Sequence, residues 1–194
     1  MAKISFIVSA FERPDFLSCC LYSLKNQTDS DIRVIVVDNA INPDIAKEQE
    51  KRVEALKDSR FRYLKTETSD CYHSAAYGVE STMSEFVCFP SDDSYYTPHF
   101  TELMLKASAE NKWDLVYCDC VYDPGYRREY RILIAAPRKG EVDKTNFIIR
   151  REKFVPFDKC PGYDLGAGDG NFIEHVVSKG LTHGRLPLPL LVHV

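Results

Sequence analysis

The sequence predicts an α/β fold: a single Rossmann-like domain whose mostly parallel central sheet is flanked by helices. Three observations predict it. Short apolar runs without polar alternation, such as Ile4 to Ala10 and Ile32 to Asp38, fit strands buried on both faces. Segments with helical spacing of apolar residues lie between those runs, giving the strand–helix–strand unit of a parallel sheet. The 194 residues suffice for one domain with a real hydrophobic core.

The elements follow in order. After the first strand, Pro14 suits a first helical position, and Phe16, Leu17, Cys20, Leu21 and Leu24 repeat at helical spacing. Asn42-Pro43 caps and opens a charged outer helix reaching about Lys57. Arg60 to Leu64 reads as a third strand, Cys71 to Ser81 as a helix, and Glu85 to Phe89 as another buried strand. Thr97-Pro98 begins a helix with Phe100, Leu103, Met104 and Ala107 on its inner face. Strands are expected over Asp114 to Asp119, Tyr126 to Ile134 and Thr145 to Arg150. Asp169 to Lys179 is a helix with Phe172, Ile173, Val176 and Val177 inward and Gly180 as its stop. Leu181 to Val194 reads as an extended, proline-rich tail.

Composition excludes several classes. With 44% apolar and 28% charged residues the chain is globular and not disordered. No apolar run approaches the roughly 20 residues that span a bilayer. Ile4 to Ala10 is too short, and too soon followed by Glu12 and Arg13, for a secretory signal. A net charge of −4 argues against a nucleic-acid binder driven by bulk charge. The seven cysteines are an odd number and mostly sit in apolar segments, which reads as free thiols in a reducing, cytoplasmic compartment. Cys118 and Cys120 share a strand face, as half of a metal site would, but zinc needs about four ligands and no other half is evident, which counts against that reading.

In an open parallel sheet, ligands bind beyond the carboxyl ends of the strands. The residues there are Ser9 to Arg13, Asp38-Asn39 and Ser91 to Ser94. The adjacent carboxylates of Asp92 and Asp93 repel each other unless a cation lies between or beside them. Mg²⁺ or Mn²⁺ takes such oxygen ligands and keeps positions open for diphosphate oxygens. Ser-Asp-Asp-Ser is also good turn chemistry. The apolar strand before it and the Pro-opened helix after it favour the metal site.

Six segments, in order, resemble the family-two glycosyltransferases, which have the glycosyltransferase A fold. Ile4 to Pro14 is similar to the opening strand and loop, and Ser23 to Thr28 to a serine-to-Gln-Thr stretch of the first helix. Val34 to Asn39 matches the strand ending in acids, and Ser84 to Pro98 the strand, acidic motif and Pro-started helix. Asn146 to Arg151 resembles a later acceptor-side segment, and Gly168-Asp169-Gly170 stands where the family has a Glu-Asp catalytic motif.

The resemblance implies an inverting, metal-dependent transfer from a nucleotide-diphosphate sugar, UDP-sugar favoured, using Mn²⁺ or Mg²⁺. Ser9, Phe11 and Arg13 would line the nucleotide pocket, and Asp38 and Asn39 would bond the base or its neighbourhood. Asp92 would contact ribose or metal, and Asp93 the metal. Asp169 would be the catalytic base; its alternative is a plain N-cap. His193 is the expected further metal ligand, with His183 as rival. Residues 1–98 would form the nucleotide-sugar half and residues 99–194 the acceptor half. The acceptor is open: a glycan, a lipid-linked sugar, a protein or a modified nucleic acid.

The chain departs from the pattern at Ser91, Asn39 and Gly168, where the family often has acids, and at Cys71-Tyr72-His73, where His73 replaces a basic residue or nothing does. Gly168 and a short C-terminal part leave open a non-catalytic nucleotide- or sugar-binding module. Asp164 to Gly170 looks like the glycine motif of S-adenosylmethionine-dependent methyltransferases, but too little chain follows it for the rest of that sheet. Its glycines read instead as a flexible loop over the acceptor site. Nucleotidyltransferases need a Gly-rich loop after the first strand, and Ala10 to Pro14 has no glycine. Arg127, Arg128 and Arg131, with Tyr126 and Tyr130, form a basic aromatic patch that Arg138, Lys139, Arg150 and Arg151 would extend.

Overall fold

The computed structural model describes residues 2–68, 70–122 and 129–194. They build one sheet of β1 (Ile4–Ala10), β2 (Ile32–Asp38), β3 (Phe61–Lys65), β4 (Phe86–Cys88), β5 (Ser94–Tyr96), β6 (Leu115–Tyr122), β7 (Arg131–Leu133), β8 (Phe147–Arg150) and β9 (His183–His193). The order is β3-β2-β1-β4-β8-β6-β9-β5, with β7 also on β6. Strands β1 to β4, β6 and β9 point one way, and β5, β7 and β8 run against them. The sheet is thus mostly parallel in strand direction.

Side-chain alternation along β1 divides the core between the two faces. Ile4, Phe6, Val8 and Ala10 join Leu17, Leu21 and Leu24 of α1 (Pro14–Lys25), Val53 of α2 (Pro43–Ala55) and Phe100 and Met104 of α4 (Phe100–Asn111). Ile7 faces the other side, with Tyr72 and Ala75 of α3 (Cys71–Glu80) and Phe172 and Ile173 of α5 (Gly168–Ser178). Phe16 stays 39% exposed. The expected caps form: Asn42 accepts the Asp44 N–H at 2.9 Å, and Gly180 closes α5 at φ +83°. No helix among the described residues is long and apolar enough to cross a membrane.

Two segments differ from expectation. The tail is a strand, β9, pairing in parallel with β6 and antiparallel with β5. Pro187 and Pro189 cannot donate to a ladder, and the β6–β9 register shifts just there, from Cys118↔Leu186 to Asp119↔Pro189. On the other flank, β5 pairs only with Leu191 to His193, beyond both prolines. The strand expected over Tyr126 to Ile134 is β7 at Arg131–Leu133, and residues 126–128 lie outside those described.

These directions put the ends of β1, β2, β3, β4, β6 and β9 at one sheet edge. The antiparallel strands β5, β7 and β8 begin at that same edge.

Candidate active site

The acidic motif sits in the turn between β4 and β5. Strand β4 ends at Cys88, and the chain then runs beside β1, with the Ser9 N–H donating to the Pro90 carbonyl at 3.0 Å. That contact fixes where Asp92 and Asp93 emerge. The serine-to-Gln-Thr stretch braces the far side. Ser23 Oγ accepts the Tyr96 N–H at 3.1 Å, and Gln27 Oε1 accepts both the amide (3.0 Å) and the hydroxyl (2.9 Å) of Thr101.

Asp92 is fully buried and Asp93 nearly so. The Asp92 Oδ2 accepts the Phe11 N–H at 3.0 Å, and Arg13 donates one amino group to Asp92 and the other to Asp93 Oδ2 at 2.6 Å. Burial pushes the Asp92 carboxyl up to about 6, against the pull of the Arg13 guanidinium. Asp93 Oδ1 is buried with no hydrogen-bond partner, and the Nδ1 of His193 lies 3.7 Å from it. An orphaned carboxylate oxygen beside an imidazole fits a divalent cation that shares further ligands with a diphosphate. The described residues hold no group of three or more His, Cys, Asp or Glu able to bind a metal by themselves.

The neighbouring loop carries strain. Glu12 adopts φ +52°, in the left-handed region. Its carboxylate accepts the N–H groups of Ile41 (3.2 Å) and Asn42 (3.0 Å), tying the loop after β1 to the one after β2. Ser9 Oγ donates to the Cys71 carbonyl at 3.1 Å, while Phe11 projects, 39% exposed. Asp38 is turned inward: Oδ1 accepts the Ala40 N–H at 2.6 Å, Oδ2 accepts the Tyr63 hydroxyl at 2.6 Å, and Lys65 Nζ lies 3.3 Å away. Asn39 is buried beside it with its Oδ1 unpartnered.

Next to the acidic motif opens a cavity of about 420 Å³. Asp143, Asp169, Lys139 and His193 supply its polar wall, and Tyr122, Leu133 and Val142 an apolar one. Asp169 lies in the first turn of α5, where the helix dipole favours a carboxylate. The Lys144 N–H donates to its Oδ2 at 3.1 Å and the Gly170 N–H to its Oδ1 at 2.8 Å. Burial, joined by the nearby Asp143 carboxylate, still raises Asp169 to about 6. Burial opposes ionisation of Asp143 too, but His193, Lys144 and the Thr145 N–H together hold it below the usual carboxylate value. Below lies a packed aromatic floor, with Phe147 stacked on Phe172 at 5.7 Å and Phe157 4.8 Å from Phe172, which fixes α5.

The sequence profile described as glycosyl transferase family 2 matches residues 5–166, most of the chain. This chain belongs to glycosyl transferase family 2. A putative glycosyltransferase of Bacillus subtilis, EpsH, is 31% identical over 119 residues, covering 60% of this chain and 33% of EpsH. An uncharacterized glycosyltransferase of the same organism, EpsJ, is 26% identical over 131 residues, covering 66% of this chain and 36% of EpsJ. The chain therefore spans about a third of the length of the curated relatives it matches. Among solved structures, S. aureus TarS 1–349 superposes with a TM-score of 0.78 at 17% identity over 99% of this chain and 60% of that one. Mannosyltransferase PcManGT from Pyrobaculum calidifontis, in complex with GDP-Man and Mn2+, gives 0.75 at 16% identity over 98% and 56%. Both share the fold.

Within this family 2 domain, Ser9, Phe11, Arg13, Asn39, Asp92, Asp93, His193 and Asp169 lie along the one sheet edge and its cavity. Several other expectations are corrected. His183 begins β9 and packs on Tyr117, at the opposite end of an 11-residue strand from His193. His73 bonds Asp70 at 2.7 Å on α3, while Lys65, the last residue of β3, donates to the Ala40 carbonyl at 2.6 Å. Arg150 and Arg151 do not extend a patch with Arg131, which begins β7 at the site edge. Strand β8 carries them to the opposite edge, where Arg150 pairs with Glu85 and Asp114. Arg127, Arg128 and Tyr126 lie outside the described residues. Gly168 and Gly170, in the first turn of α5, serve packing rather than flexibility. A Cβ on Gly168 would stand 2.8 Å from the Tyr72 ring, and one on Gly170 2.7 Å from Lys139 Cα. Cys118 and Cys120 are buried free thiols, and Asp119 between them is held by Arg185 at 2.7 and 2.8 Å.

Sequence reasoning missed Glu12, Asp143 and Lys144. The available signal was Asp143-Lys-Thr-Asn146, a capping-box spacing that does form here, with the Thr145 N–H 2.8 Å from Asp143 Oδ1 and the Asp143 N–H 3.1 Å from Asn146 Oδ1.

Proposed function

We propose that this domain transfers a sugar from a nucleotide-diphosphate sugar to an acceptor hydroxyl, with inversion at the anomeric carbon and with help from Mn²⁺ or Mg²⁺. The observation that carries the reading is the buried Asp93 oxygen without a partner, beside His193, which itself lines the cavity that holds Asp169. Membership of family 2 supports it, as does the chemistry of the structural neighbours: TarS 1–349 has been solved with UDP and with UDP-GlcNAc, and PcManGT with GDP-Man and Mn2+.

In this reading residues 1–98 bind the donor, with His193 added from the acceptor half, residues 99–194. Phe11 packs on the base, and the free Asn39 carbonyl oxygen accepts from it, for which the N3–H of uracil is suited. Asp38 acts indirectly, holding the loop that presents Asn39. Arg13 keeps Asp92 and Asp93 together, and Asp93 and His193 would hold the cation, which when bound would offset charge developing on the leaving diphosphate. Asp169 takes the proton of the acceptor hydroxyl. The acceptor oxygen forms its bond to the anomeric carbon as the bond to the diphosphate oxygen breaks, and that electron pair leaves with the nucleoside diphosphate. A carboxylate near 6 is ionised at neutral pH yet more basic than an ordinary aspartate.

The test is a panel of UDP- and GDP-sugars with Mn²⁺, in which nucleoside diphosphate release and the anomeric configuration of the product are followed by NMR. Asp169→Asn should lower turnover about 10²- to 10⁴-fold while leaving nucleotide affinity within about twofold. A β-linked product from an α-linked donor is expected. Retention of configuration, or full turnover in Asp169→Asn, contradicts the reading.

A further inference from the structure

Lys144 is 6% exposed, and no carboxylate lies within ion-pair distance of its ammonium among the described residues. Its Nζ donates instead to Ser91 Oγ at 2.7 Å and the Phe89 carbonyl at 3.3 Å. Both acceptors belong to the few residues that lead from β4 into Asp92 and Asp93. The amide of the same residue donates to Asp169 Oδ2 at 3.1 Å. One residue thus touches both halves of the site, and its Asp143-capped 3₁₀ turn keeps the two contacts in fixed relation.

A buried ammonium satisfied only by neutral oxygens is costly, and a space-filling role would be better served by an apolar side chain. Its charge has a use where it stands. Asp143 and Asp169 crowd negative charge around the cavity, and a fixed cation behind them favours their ionised forms.

We infer that Lys144 is a positioning residue that sets the donor carboxylates and Asp169 in one frame, its ammonium gripping the strand end before Asp92 and its amide gripping Asp169. This rests on the transferase reading for its effect on turnover, but not for its effect on Asp169 itself. Asp169 is faced by Asp143 and Lys144 from the 3₁₀ turn, Tyr72 from α3, and Lys139 and His193 across the cavity.

Two readouts test the inference. The carboxyl carbon of Asp169 is titrated by NMR in wild type, Lys144→Met and Lys144→Arg, without substrate. Turnover is measured as hydrolysis of whichever sugar nucleotide the wild type cleaves fastest with Mn²⁺. Lys144→Met should move the Asp169 midpoint upward, carry the acidic limb of the turnover profile with it, and lower turnover about tenfold or more. Lys144→Arg should keep the midpoint near the wild-type value. Ser91→Ala, which loses only the side-chain anchor, should leave the midpoint in place and still lower turnover, and it decides the matter if Lys144→Met does not fold. Wild-type midpoint and turnover in a folded Lys144→Met, or wild-type turnover in Ser91→Ala, overturn the inference. If the wild type turns over no sugar nucleotide, the transferase reading fails, while the Asp169 titration still decides the Lys144 contact.

Discussion

Asp169 and Asp92 are both carboxyls that the fold raises to about 6, chiefly by burial. The linkage has a definite sign. A carboxyl whose folded value lies above its unfolded value near 3.8 favours folding most when protonated, so its contribution falls as pH rises toward 6 and is fully lost above it. Asp169→Asn removes that loss. Its melting temperature should therefore exceed wild type by about 2–4 °C at pH 7.5 and match it near pH 4, in the same variant that loses turnover. A scan at the two pH values checks this. At the same scale, Gly168 explains a departure from the family. The Tyr72 ring occupies the space a side chain would need, so Gly168→Glu, which restores the family's acid, should lower stability by about 1–3 kcal/mol in urea titration.

At the scale of elements, β9 carries the most weight. It lies between β6 and β5 and delivers His193 to the site. Gly184 near its start has the Trp113 ring against its Cα, leaving no room for a Cβ. Gly184→Ala should cost about 1–3 kcal/mol, read by denaturant titration. Strands β1, β2 and β4 are legible in sequence because a strand buried on both faces is an unbroken apolar run. Strand β9 is not, because Pro187 and Pro189 forbid a regular ladder and a bulge absorbs them only in three dimensions. Strand β5 hides inside the turn chemistry of Asp-Asp-Ser-Tyr-Tyr. The same logic sorts the site. Ser9 to Arg13, Asp38-Asn39 and Ser91 to Ser94 follow parallel strands and are found by inspecting strand ends. Asp143 and Lys144 precede an antiparallel strand, which begins at the site edge instead of ending there, so that rule passes over them. Periodicity alone leaves Asp169 indistinguishable from an N-cap, and only the resemblance to family 2 singles it out.

For the whole molecule, mixed strand direction is what assembles the site. Six strands ending and three beginning at one edge gather carboxylates, an arginine, a histidine and two lysines from segments between Ser9 and His193. The chain spans about a third of the length of the curated relatives it matches. Asp93, with an unpartnered oxygen beside His193, would hold the cation that binds a nucleoside diphosphate. Calorimetric titration of UDP and GDP into wild type and Asp93→Ala, with and without Mn²⁺, tests it most directly. Binding should require Mn²⁺ and fall by at least about tenfold in a folded Asp93→Ala. Equal binding by the two proteins, or no binding of either nucleotide by folded wild type, contradicts it.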